Sequence, residues 1–89
     1  MRLRITPDIG EGRWVVHVDG ELVGEGPREL QKTCVPLGRP LALDLSGLDR
    51  IDHAGIEVLH ALERSGACLQ GMNPYIAMLV RGARTPASF

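Results

Sequence analysis

Two histidines and a carboxylate recur at helical spacing in the stretch LALDLSGLDRIDHAGIEVLHAL, residues 41–62. At about 100° per residue, His53, Glu57, His60 and Arg64 share one stripe. Three chemistries compete for it. Two imidazoles and a carboxylate are a donor set that transition metals accept. However, His53 and His60 stand about 10 Å apart along a helix axis, so one helix cannot bring both to one ion. The pairs His53–Glu57 and Glu57–His60 would each need outside ligands, and no metal site is assigned. General acid–base catalysis needs a partner group and a pocket. The chain has no G-x-S-x-G elbow, no glycine-rich phosphate loop and no clear triad, so no catalytic residue is assigned. The third reading is a solvated face in which Glu57 laces His53 and His60, with Glu63 and Arg64 beside them. Such a face also remains free to dock a partner.

The elements around the stripe set its position. Asp52 precedes the helical pattern and suits the N-cap, accepting a backbone N–H near Ala54 or Gly55. The helix runs from about His53 to Ser65, and Gly66 follows it. Gly55, Val58, Leu59 and Leu62 form the face that packs on a sheet, whereas Ile56 leans toward solvent. Gly55 lowers helix propensity one turn in, which implies close approach by a neighbouring backbone or a partner. Upstream, PLALDL (40–45) reads as a strand covered on both faces, with Asp44 near its end, and SGLDRI (46–51) as a connector.

The rest of the chain alternates strands and helices. RLRIT (2–6) and RWVVHVDGEL (13–22) are strands flanking the turn PDIGEG (7–12), a hairpin arrangement. Trp14, Val16 and Val18 fall on one face of the second strand, and Val15 and His17 on the other. Residues 23–38 read as a helix with Pro27 in its first turn, an inner stripe of Leu30, Cys34 and Leu37, and a break at Pro36. ACLQGM (67–72) is a fourth strand, and Asn73 caps a last helix over 74–83. The order ββαβαβα predicts an α/β domain: a mixed sheet with an N-terminal hairpin and three helices. Residues 1–82 form a single domain in this reading, and 83–89 a C-terminal tail.

Composition narrows the function classes. The 89 residues are 44% apolar and 24% charged, with a net charge of −1, an ordinary globular balance. No basic stripe or aromatic platform suggests nucleic acid. No apolar run approaches the ~18 residues of a membrane span, and MRLRITP lacks the pattern of a signal peptide, so a cytoplasmic location without membrane insertion is expected. Cys34 and Cys68 lack metal or redox spacing and are expected as two buried small hydrophobes.

The central stretch resembles the signature of STAS domains, the module of anti-sigma factor antagonists. That signature is a strand ending in Asp-Leu-Ser, a short connector, and Asp-Ser-(Ser/Ala)-Gly-Leu opening a helix. VDGEL (18–22) is similar to the family's Gly-Glu-Leu, and GACLQGMNPYIAMLV (66–80) to its last strand and the helix after it. The resemblance spans residues 2–80. It implies a bacterial, non-enzymatic protein–protein interaction module of signal transduction and transcription regulation, with no cofactor. In the sigma-factor branch a partner kinase phosphorylates the serine after the motif aspartate, adding about two negative charges at a helix N-terminus.

This sequence departs from the pattern at informative places. His53 occupies the phospho-acceptor position and Ala54 follows, so neither offers a hydroxyl. Val23 stands where an acidic residue often follows Gly-Glu-Leu. The resemblance therefore implies a regulator that is not switched by serine phosphorylation. Its partner would be an anti-sigma kinase-like protein. The docking surface is expected to comprise Asp49, Arg50, Asp52, His53, Ile56, Glu57 and His60. Two alternatives stay open: an accessory subunit of a lipid ABC-type transporter or other multiprotein complex, and a small-molecule or nucleotide binder. Self-association as a homodimer is likewise open.

Overall fold

A computed structural model describes residues 2–38 and 41–82. The element order is β1 (Leu3–Gly10), β2 (Arg13–Leu22), α1 (Gly26–Cys34), β3 (Leu41–Ile51), α2 (His53–Arg64), β4 (Cys68–Gln70) and α3 (Pro74–Gly82), as the sequence pattern predicts. The sheet order is β1-β2-β3-β4. β1 pairs antiparallel with β2, and β3 pairs parallel with both β2 and β4. No helix among the described residues is long and apolar enough to cross a membrane.

The hairpin is tighter than the sequence suggests. β1 extends through Pro7 to Gly10, leaving a two-residue turn in which Glu11 (φ 53°) and Gly12 (φ 81°) are both left-handed. Positive φ at both central positions matches the right-handed twist of a hairpin. Pro7 is tolerated because β1 is an edge strand, where proline need not interrupt a ladder on both sides. Residues 23–25 also differ from expectation. Gly26 N–H bonds Val23 C=O at 2.8 Å, closing a turn before α1 begins. At its other end α1 tightens into a 3-10 turn, Val35–Leu37, at Pro36.

β3 holds the largest departure. The segment expected as a connector, 46–51, continues the strand alongside the second half of β2, and Asp44 is the fourth residue of eleven. Two register shifts explain the difference. His17 faces Asp44 while Asp19 faces Gly47, and Gly20 faces Leu48 while Glu21 faces Arg50, so β3 carries one extra residue at each step. Bulges of this kind break the period of two. The inward residues accordingly run Leu43, Leu45, Leu48, Ile51, at spacings of two, three and three. Pro40, expected in this strand, and residues 83–89, expected to close α3 and form a tail, lie outside the described residues.

One core joins the sheet to the helices. Val16, Val18, Leu43, Leu45 and Leu48 from the strands meet Leu30, Leu59, Leu62, Ile76 and Val80 from the helices. Cys34 is buried in it, and burial pushes its thiol up to about 11. Cys68 is exposed, against expectation, because β4 is a three-residue edge strand. Asn73 caps α3 as predicted: its Oδ1 accepts Ile76 N–H at 2.8 Å, and its Nδ2 donates to Leu48 C=O at 3.2 Å.

Candidate functional site

The α2 N-terminus is built around one carboxylate. Asp52 has extended backbone geometry, and its Oδ1 accepts Gly55 N–H at 2.9 Å, the expected cap. Its other oxygen, Oδ2, accepts Gly24 N–H at 3.0 Å from the turn between β2 and α1. The backbone N–H of Asp52 in turn donates to Leu22 C=O at 3.3 Å. These contacts staple the end of β2, the start of α1 and the start of α2 into one junction. The Gly55 and Gly24 N–H groups hold the Asp52 carboxyl below its ordinary range, aided by nearby His53 and opposed by partial burial. Gly55 is needed by a neighbouring backbone. A Cβ there would lie 2.6 Å from Leu22 O and 2.7 Å from Ile51 Cγ1.

Beyond the cap, the stripe divides. His53 Nε2 lies 3.0 Å from Glu57 Oε2, with side chains 85% and 67% exposed, so this pair is a solvated helix-face contact of small energetic weight. Asp49 and Arg50 are exposed on the last residues of β3, leading into the same junction. His60 leaves the stripe: its Nε2 meets Val80 C=O at 2.7 Å, and with the proton on that nitrogen it donates to α3. The lacing of Glu57 to both histidines is therefore replaced by a His53–Glu57 pair and a His60 anchor. Glu63 likewise turns to α3, receiving two 2.9 Å bonds from Arg81. Ile56 is half-buried and packs against the core instead of leaning free. Of the expected docking residues, Asp49, Arg50, His53 and Glu57 present open side chains, and Asp52, Ile56 and His60 serve mainly as supports.

A second polar pair sits on the sheet. His17 Nδ1 lies 2.9 Å from Asp44 Oδ2 on the sheet face opposite the core. Asp44 Oδ1 accepts Ser46 N–H at 3.1 Å, pinning the first bulge. The Ser46 backbone and hydroxyl hold the Asp44 carboxyl low, with a smaller contribution from His17. By register, Thr6, His17, Asp44 and Gln70 form one row across four strands. The alternation of β2 already places His17 off the core face, but its partner follows only from strand register. Asp44→Ala is expected to cost about 1 kcal/mol, read from the urea midpoint, because it frees the bulge and the imidazole together. Among the described residues, no three His, Cys, Asp or Glu side chains are grouped so as to hold a metal ion.

No family model matches the chain, and no curated protein matches it. A solved structure described as "Crystal Structure Analysis of Mglu" aligns with a TM-score of 0.60 and 21% identity over 76% of this chain and 19% of that one. The chain thus spans about a fifth of that structure's length, and the likeness is one of fold.

Proposed function

We propose that this chain is a STAS-like protein–protein interaction module of the anti-sigma factor antagonist type, cytoplasmic, and not switched by serine phosphorylation. One observation carries the reading. The motif aspartate, Asp52, spends both carboxylate oxygens on backbone N–H groups of two segments, and the next residue, His53, projects 85% exposed at the helix start. A hydrogen-bonded backbone junction thereby displays a side chain at the position where the resemblance implies a phosphorylatable serine. Neither His53 nor Ala54 carries a hydroxyl, so the display is constitutive. Asp49, Arg50, His53 and Glu57 are the contact groups; Asp52, Ile56 and His60 hold them in place.

The test uses a purified anti-sigma kinase of the partner-switching type. Binding measured by titration calorimetry is expected to be unchanged by ATP, and the intact mass of this chain to stay constant. A stoichiometric gain of about 80 Da, one phosphate, overturns the constitutive reading. Glu57→Lys combined with His53→Glu is expected to weaken binding at least about tenfold, as charge reversal at a contact does. Both residues are exposed, so folding is spared, whereas Ile56→Arg would disturb the core. Unchanged affinity removes this face from the proposal. Failure to bind any such kinase while binding a transporter subunit moves the chain to the accessory role.

A further inference from the structure

Among the described residues buried in the core, the remaining exposure gathers at one place. Among the buried hydrophobic residues described, only Cys34 (2%), Leu41 (6%), Leu62 (6%) and Ala67 (6%) retain any exposure, and the others are at 0%. All four line a single cavity of about 280 Å³, together with Val35, Gly38 and Ser65. It opens where α1 and α2 end and where β3 and β4 begin, at the far end of α2 from His53.

We propose that this cavity is a binding site for a compact, neutral, apolar molecule of one or two fused rings. Size and chemistry both point there. An enclosed apolar cavity of about 150 Å³ accepts benzene; this one is open to solvent on one side, and its 280 Å³ has room for a molecule up to roughly twice that volume. No charged side chain is among the described lining residues. The Ser65 hydroxyl already donates to Leu62 C=O at 2.9 Å. The Cys34 thiol, pushed up to about 11 by burial, is protonated at neutral pH and acts as an apolar wall. The described lining therefore offers nothing to offset the desolvation of a charged ligand. That lining rewards apolar contact over the edges of core side chains. This site is separate from the docking surface, and its test reads neither kinase nor transporter.

Indole is the probe, with indole-2-carboxylate as its charged counterpart. Methyl-labelled protein titrated with indole is expected to show saturable shifts at Val35, Leu41, Leu62 and Ala67, while Ile76 stays unmoved. The melting temperature should rise with indole concentration by mass action. The carboxylate should bind at least about tenfold more weakly, reflecting the cost of stripping water from its charge. Cys34→Leu, and independently Ala67→Leu, fill the cavity and should abolish the indole-dependent shifts. If either variant fails to fold, the wild-type titration still decides. Absence of saturable shifts up to the solubility of indole, shifts centred elsewhere, or equal binding of the carboxylate overturns the proposal.

Discussion

Gly55→Ala is expected to destabilise the domain by about 2 kcal/mol, although helix propensity alone would favour alanine by about 1 kcal/mol. The sign is decided by what the new methyl meets. Its nearest neighbours are Leu22 O at 2.6 Å and Ile51 Cγ1 at 2.7 Å. The Ile51 side chain can adjust, but Leu22 O belongs to the backbone of β2 and accepts the Asp52 N–H. Moving it strains the β2–β3 pairing at Leu22↔Ile51 and lifts α2 from the sheet at its first turn. For a domain of this size the loss corresponds to about 10 °C in Tm. Thermal and urea unfolding beside Ala54→Gly separates the effects, because Ala54 is exposed and its loss registers propensity alone. A neutral or stabilising Gly55→Ala would mean that α2 does not seat against Leu22 as described. The same displacement would swing His53 and Glu57 away from Asp49 and Arg50, so under the proposed function partner binding should weaken with stability.

The contrast between Gly55 and the rest of α2 shows what sequence could reveal. The cap at Asp52, the inward set Gly55, Val58, Leu59 and Leu62, of which only Val58 stays half-buried, and the outward His53–Glu57 pair all follow from local spacing, because a helix repeats on contacts within a few residues. The Asn73–Pro74 start of α3 is legible for the same reason. What stayed hidden depends on partners far along the chain. His17 and Asp44 are 27 positions apart, and only the β2–β3 register brings them together. His60 lies on the helical wheel where a solvated residue belongs, yet α3 passes close enough for Val80 C=O to claim it. The second half of β3 was illegible because two bulges replace an alternating pattern with one that resembles a polar connector. The second oxygen of Asp52 is the subtlest case. A capping aspartate announces one bond in the sequence, but nothing local announces Gly24.

That second bond makes Asp52→Ala a larger lesion than loss of an ordinary cap. Removal of a capping side chain costs about 1 kcal/mol, and loss of the bond to Gly24, whose exposed N–H passes to water, adds the net value of one more hydrogen bond, for an expected total of about 1.5–2 kcal/mol. Asp52→Asn keeps one acceptor oxygen but turns an amide donor toward the other N–H, so it should fall between alanine and wild type. The pH dependence identifies the carboxylate itself. Because the folded state holds the Asp52 carboxyl below its unfolded value, its contribution is complete above that unfolded value, about 3.9. It is then lost as pH falls through the lower folded value. Asp44 is shifted the same way and adds to the same acid limb. Urea unfolding of the wild type should therefore be nearly flat in these two contributions from neutral pH down to about 5, then fall steeply below about 4. Asp52→Ala should start lower and fall less, the two curves converging in acid. Curves that stay parallel through the acid limb would show that Asp52 is not held by Gly24 and Gly55 in solution. The junction that displays His53 would then need another anchor.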